Sequence, residues 1–297
     1  MKVGYVSLIG RPNAGKSTLM NAIVGDKVAI TSNKPQTTRT KILGVAHVEG
    51  GQIAFLDTPG IHKPVHRMNQ RMVDDAIDAI READVVVAVV DVTEKTGGGD
   101  HYVMDRLENL TQPVILALNK IDAIKKNELL PLIAGYAKAM NFAAIVPISA
   151  FTKEGLDGLT KEILAALPDG APLFDEDFLT DQPMRAMAAE LIREKVLRYT
   201  RDELPFTTAV MIEQWVEPET PGAITNIFAT ILVESDSQKP IVIGKGGEMI
   251  KRIGTDARKD LEPLIGGKVF LELHVKVKDD WRDNERILHE LGLSRKR

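Results

Sequence analysis

The residues best equipped for chemistry stand together near the start of the chain: Gly10, Arg11, Pro12, Asn13, Ala14, Gly15, Lys16, Ser17 and Thr18. The first eight fit G-x-x-x-x-G-K-[ST], the loop whose backbone N–H groups wrap nucleotide phosphates. Glycines at 10 and 15 let the backbone turn and approach an anion with no Cβ in the way, and successive N–H groups form an anion-binding concavity. Lys16 reaches the β- and γ-phosphates, and Ser17 places a hydroxyl on Mg²⁺. Further on, Asp57, Thr58, Pro59 and Gly60 offer a carboxylate that can hold Mg²⁺ through water and an N–H that can sense a γ-phosphate. Asn119, Lys120, Ile121 and Asp122 suit a purine base. One carboxylate, Asp122, can accept from both N1–H and N2–H₂ of guanine, while Asn119 contacts the base edge or braces the cradle and the Lys120 stem covers the base face. Adenine has no matching donors, so the set argues for GTP and GDP over ATP. Ser149 and Ala150 would close the base pocket with a backbone N–H to guanine O6.

These groups act together only if strands and helices bring them to one edge. Short apolar runs at 3–9, 42–48, 53–56, 85–90, 114–118 and 145–148 alternate with helical patterns at 69–82, 100–110, 126–139 and 155–166. That is the rhythm of a doubly wound α/β domain, a mixed and mostly parallel sheet with helices on both faces. The runs at 85–90 and 114–118 are unbroken and rich in β-branched residues, as central parallel strands covered on both faces require. Each motif then follows a strand, at the sheet edge where ligands of open α/β sheets sit. This domain is expected over 1–168. Residues 168–183 carry three prolines and many acids with no clear period, which places a linker at 169–183.

Beyond the linker the order changes to helix (184–200), strands (207–216 and 224–234), helix (247–264) and strand (268–278), a separate and smaller α+β domain over 184–280. Gly244, Lys245, Gly246 and Gly247 stand before its second helix. The order and the G-x-x-G resemble a type II KH domain, in which such a loop clamps about four nucleotides of single-stranded nucleic acid. Lys251 and Arg252, one turn on, would touch RNA phosphates or form a solvated helix face. Charge agrees: residues 239–297 hold 14 Lys+Arg against 10 Asp+Glu, net +4, while the rest holds 24 against 32, net −8. The remainder, 281–297, reads as a small amphipathic helix packed on this sheet, followed by a basic tail.

Other features exclude classes of function. There is no cysteine, which rules out disulfides and thiolate metal sites. The longest purely aliphatic run, 85–90, is far short of a membrane span, and the first residues enter a strand with no signal-peptide architecture; a cytoplasmic protein is expected. His62 and His66 have Pro64 between them and no third ligand nearby, so they belong to a mobile segment rather than a metal site. Gly97 to Asp100 reads as a flexible helix entry.

With its nucleotide motifs in this order, the chain resembles the Ras-like translational GTPases, and the stretch Pro35-Gln36-Thr37-Thr38-Arg39 looks like switch I of the bacterial Era-type GTPases. With the KH-like domain behind it, the resemblance covers essentially the whole chain. It implies that Thr38 completes the Mg²⁺ shell beside Ser17 and Asp57, and that Lys16, Thr38, Gly60 and Asn13 serve hydrolysis. Some relatives recruit K⁺ through the residue matching Asn13. Where Ras-like enzymes carry a water-positioning glutamine after D-x-x-G, this chain has Ile61, so slow intrinsic turnover follows. The resemblance further implies binding to the 3′ end of 16S rRNA, a role in 30S subunit assembly, peripheral contact with the inner membrane, and action as a monomer. Two alternatives stay open at this point: a GTPase partner of an RNA-modification system, and an RNA-binding protein whose GTP site is purely regulatory.

Overall fold

The computed structural model describes residues 1–34, 36–61, 64–94, 97–201, 204–220 and 223–293. It divides into two units, one of Met1–Thr31, Thr38–Val65 and Asn69–Asp181, the other of Ser32–Thr37, His66–Met68 and Gln182–Arg297. His62 and Pro35, both named above, lie outside the described residues.

The first unit runs β1 (Lys2–Ile9), α1 (Lys16–Val24), β2 (Ile42–Val48), β3 (Gly51–Asp57), α2 (Arg67–Glu82), β4 (Val85–Asp91), α3 (Gly98–Leu107), β5 (Val114–Asn119), α4 (Lys126–Ala139), β6 (Ala144–Pro147) and α5 (Leu156–Ala166). Its sheet has the order β2-β3-β1-β4-β5-β6. All neighbours are parallel except β2, which pairs antiparallel with β3. The strand order reverses at β1, so the phosphate-loop candidate leaves the sheet at the switch point, where crevices form.

The period of two in β4 shows how one valine-rich strand serves two cores. Val85, Val87 and Val89 face a cluster with Leu19, Met20, Leu159 and Ile163 from α1 and α5. Val86, Ala88 and Val90 face the other side, with Ala76, Ile80, Val103 and Leu107 from α2 and α3. Each fully buried aliphatic side chain is worth about 1.5–3 kcal/mol of transfer free energy, which fixes the strand's register against its neighbours.

The proline-bearing stretch read as a linker is built into the first unit as far as Asp181. Gln52, 2% exposed on β3, accepts from the N–H groups of Leu173 (2.8 Å) and Phe174 (3.1 Å) and donates to Phe174 O (2.8 Å). Val45 of β2 donates to Leu179 O (2.8 Å), and the His47 ring N–H to Phe178 O (3.0 Å). Phe174 stacks on Phe178 and meets Tyr5 edge-on. Prolines do not make a segment free when its remaining N–H groups find fixed acceptors and donors.

The second unit runs α6 (Met184–Tyr199), α7 (Leu204–Thr207), β7 (Ala209–Val216), β8 (Thr225–Val233), α8 (Lys239–Ile243), α9 (Glu248–Ile265), β9 (Val269–Val277) and α10 (Glu285–Glu290). The sheet is β7-β8-β9, antiparallel then parallel, with a bulge between Ile212 and Gln214. In α9, Ile253, Ala257 and Leu261 recur every four residues and are all fully buried, the stripe that seats a helix on a core. The short helices α7 and α8 add to the order expected from the sequence. The expected terminal helix is split: a 3₁₀ turn at Trp281–Asp283, then α10, capped by the Asn284 side chain. Trp281 is completely buried and its indole N–H donates to Thr207 O (2.8 Å), so this segment packs within the second unit.

Candidate functional site

Three sequence motifs meet at the carboxyl ends of β1, β3 and β5. Between β1 and α1, the loop of residues 10–15 has its glycines where side chains cannot go. A Cβ on Gly10 would overlap Val89 O, and one on Gly15, whose φ is +97°, would overlap the Asn119 side chain. Lys16, 6% exposed, donates to Gly10 O (3.2 Å) and Arg11 O (3.1 Å). Burial lowers its pKa to about 8, against the opposing pull of the Asp57 charge. Arg11 contributes its backbone to the loop, while its side chain is drawn aside by Glu94 (3.0 Å) and Asp100 (3.1 Å). Asn13 holds the left-handed conformation at φ +64°, one that Asn tolerates better than most residues.

Below Lys16, Ser17, Thr38 and Asp57 converge. The Ser17 hydroxyl donates to Asp57 Oδ2 (2.5 Å) and lies 2.8 Å from Thr38 Oγ1, which in turn donates to the same carboxylate oxygen (3.3 Å). Asp57 is completely buried and its other oxygen, Oδ1, has no hydrogen-bond partner among the described residues. Burial raises the Asp57 pKa, opposed by Lys16 and by hydrogen bonds from Ser17, Thr38 and the Thr58 N–H. A dry carboxylate with an unpaired oxygen beside two hydroxyls is costly by itself and matches the hard oxygen ligands that Mg²⁺ takes. Thr58 is committed elsewhere, its hydroxyl donating to Leu8 O (2.8 Å). A Cβ on Gly60 would stand 2.5 Å from the Pro12 backbone nitrogen, so glycine lets the two loops touch.

At the end of β5, Asn119 makes the brace that was one of its two expected roles. Its Nδ2 donates to Ala14 O (2.8 Å) and its Oδ1 accepts from Ala150 N–H (2.9 Å), which ties three loops together. The expected backbone donor to guanine O6 is therefore already engaged at Ala150, and the Ser149 N–H donates to Glu154 O (2.9 Å). Lys120, at φ +70°, pairs with Asp91 at the end of β4. Asp122 is exposed in the following 3₁₀ turn.

Two contributors escaped the sequence reading. Asp100 caps α3 through the Gly97 N–H (3.0 Å) and holds Arg11, which explains the glycine run as more than a flexible entry. Ile61 is 1% exposed in the α2/α3 core, and its N–H donates to Gly10 O (3.2 Å). Its apolar position was visible in the sequence, its structural duty was not.

In the second unit, Gly244, Gly246 and Gly247 have φ of +76°, +60° and +83°. A Cβ on Gly246 or Gly247 would meet nothing within 4 Å, so these two present bare backbone to open space, beside exposed Lys245 and ahead of the α9 N-terminus. A Cβ on Gly244 would stand 2.6 Å from Met249 Cβ, so that glycine is needed for packing. Lys251 is exposed. The Arg252 guanidinium lies 4.1 Å from the Tyr199 ring centroid, stacked on α6. Among the described residues no cluster of three or more His, Cys, Asp or Glu could hold a metal ion, and no helix is long and apolar enough to cross a membrane.

Comparison with known proteins gives both units relatives. The family model described as 50S ribosome-binding GTPase matches residues 5–120, and the KH domain model matches 209–282. The chain is 51% identical over 289 residues to the GTPase Era of Geobacter metallireducens, covering 97% of each, and 45% identical over 296 residues to that of Heliobacterium modesticaldum, covering 100% of this chain and 98% of the relative. Among solved structures it is similar to an Era variant of Aquifex aeolicus bound to GDP and AlF₄⁻, with a TM-score of 0.95, 42% identity, and 99% and 100% of the two chains covered. It is equally similar, at 43% identity, the same TM-score and the same coverage, to Era in complex with MgGDPNP and nucleotides 1506–1542 of 16S ribosomal RNA.

Proposed function

Because the chain belongs to the Era family of GTPases, we propose that it cycles between GTP and GDP on the first unit and holds the 3′ end of 16S rRNA on the second, acting in assembly of the small ribosomal subunit. The observation that carries the nucleotide half is the convergence of Ser17, Thr38 and Asp57, with its unpaired Oδ1, beneath Lys16.

In this reading the backbone N–H groups of residues 13–18 hold the phosphates, and Lys16 exchanges two loop carbonyls for β- and γ-phosphate oxygens. Ser17 and Thr38 would hold Mg²⁺ directly and Asp57 through water; the ion supplies charge neutralisation across the β- and γ-phosphates when bound. The Gly60 N–H donates to the γ-phosphate. Water attacks the γ-phosphorus as the bond to the β,γ-bridging oxygen breaks, releasing GDP and phosphate. Ile61 is apolar and locked in the core, so it cannot orient that water, and turnover without a partner is slow. Asn13, held at positive φ on the loop's outer turn, is the residue through which K⁺ would add positive charge. Asp122, exposed in the turn after Lys120, selects guanine.

RNA is held by close approach of backbone to phosphate at Gly246 and Gly247, with Lys245 neutralising charge. The test is GTP hydrolysis with Mg²⁺, in Na⁺ and in K⁺, with and without an RNA matching the 16S 3′ end, at one stated salt concentration. The proposal predicts slow hydrolysis and saturable RNA binding. Asp122→Asn should shift the preference to xanthine nucleotides, because it replaces the acceptor by a donor. Unchanged guanine preference in that variant would overturn the base assignment, and equal rates in both salts would overturn the role of K⁺.

A further inference from the structure

Between α3 and α4, on the first unit, lies a hollow of about 410 Å³ that meets the nucleotide site only through Asp100. Its apolar lining includes Met104, Leu132, Tyr136 and Met140. A second hollow of about 690 Å³ shares Glu108, Ala139 and Met140 with it and continues past the end of α3, so the two form one groove along the helix pair. Every charged residue lining either hollow is acidic: Asp100, Asp105 and Glu108. Asp100 is already paired with Arg11, whereas Asp105 and Glu108 are exposed on the rim. The α3 arginine offers them nothing, because Arg106 is stacked over Tyr102 at 3.5 Å and donates to its carbonyl.

Gly135 is the second sign. It stands inside α4, where glycine costs helix stability relative to alanine. It has no positive φ, and a Cβ there would meet nothing within 4 Å. Neither backbone geometry nor internal packing explains it. Together with Ala139 one turn on, it leaves the α4 side of the groove without bulk, where another backbone can come close.

We propose that the groove seats an amphipathic helix of a partner protein, with apolar side chains against Met104, Leu132 and Met140 and lysine or arginine against Asp105 and Glu108. A helix fits better than a compact ligand because the two hollows run on from one another along α3 and α4, and helix-in-groove recognition takes apolar anchors at i, i+3/i+4 and i+7. A cationic flank fits because no lysine or arginine lines either hollow among the described residues, so an acidic partner would meet uncompensated like charge.

The probe is a fluorescent amphipathic peptide with leucine at i, i+4 and i+7 flanked by lysines, and its counterpart with glutamates in place of the lysines. Both are titrated into the full-length chain while the ¹³C-labelled methionine methyls are followed by NMR. The expected result is saturable binding of the lysine peptide, with shifts at Met104 and Met140. Binding should weaken about tenfold or more in the Asp105→Lys, Glu108→Lys double variant and in Gly135→Leu, which fills the groove from a helix position with open space. Both variants alter exposed side chains, so a circular-dichroism melt near that of the wild type shows that the loss is not unfolding. Equal binding of the two peptides, shifts confined to other methionines, or unchanged affinity in both variants would overturn the proposal.

Discussion

The Asn119 side chain donates to Ala14 O at 2.8 Å and occupies the space where a Cβ on Gly15 would fall. The base-side loop and the phosphate loop are thus one structure, and Gly15 is glycine both for its positive φ and for this neighbour. Asn119→Ala leaves the Ala14 carbonyl and the Ala150 N–H buried and unpaired, at about 1–3 kcal/mol for each group. GDP affinity, read from the fluorescence of a labelled nucleotide, should fall by about tenfold or more. Affinity within twofold of the wild type would show that the loops hold their places without the brace.

Ile61 invites a catalytic reading because it follows Asp57-Thr58-Pro59-Gly60, yet it lies in the α2/α3 core. Ile61→Ala should cost about 2–5 kcal/mol of stability through the cavity it leaves. Hydrolysis per folded molecule should change far less than in a Ras-like enzyme that loses its glutamine. Urea unfolding and single-turnover hydrolysis, measured on the same preparation, separate the two effects.

The Lys120–Asp91 pair gives a pH signature. Burial tends to raise the Asp91 pKa, but hydrogen bonds from Lys120 and Thr93 outweigh it and hold the carboxyl below 3.8. A carboxylate whose pKa is lower folded than unfolded contributes stability above the unfolded value, and loses it as pH falls through the folded one. Asp91→Asn should therefore cost about 1–2 kcal/mol at pH 7, and the difference from wild type should shrink below pH 3.8. Urea midpoints at pH 7, 4 and 3 check this; a constant difference would mean that the pair's charge is not what stabilises the turn.

Gly246→Asp places a carboxylate on open backbone at a left-handed φ that aspartate adopts with less strain than most residues. The second unit should fold with its near-native melting temperature, and affinity for an RNA matching the 16S 3′ end should be lost, since the added charge stands where the proposed clamp needs phosphate to approach. Gly244→Ala should behave in the opposite way, destabilising the unit through Met249. If Gly246→Asp keeps its RNA affinity, the clamp lies elsewhere on the unit.

Much of this was legible in the residues. The unbroken, β-branched runs of β4 and β5 placed a buried sheet, and the phosphate motif placed a loop between a strand and a helix. What the sequence left open depends on which distant atoms meet. Asn119 had two chemically reasonable partners, and only the distance between β5 and the phosphate loop shows that the brace is made. Asp100 looked like part of a loose helix entry until Arg11 was seen to reach it. Gln52 left a trace that went unread: it is a polar residue inside a strand otherwise buried and largely apolar. Prolines and acids in 168–183 suggested a linker, because composition reports what a segment lacks and not which carbonyls wait for its N–H groups.

That clasp between Gln52 and residues 173–174 bears on how the GTPase half can be isolated. A fragment ending at Pro168 keeps every residue proposed to hold nucleotide but strips the strap from β2, an edge strand of the sheet. The Val45 N–H loses its acceptor and the Gln52 amide its three bonds to residues 173–174. An uncovered edge strand is a template for pairing with another chain, so this fragment should self-associate where one ending at Asp181 stays monodisperse. The acidic, proline-bearing strap thus serves as an edge guard, its Phe178 and Leu179 carbonyls taking up donors that β2 would otherwise offer to another chain.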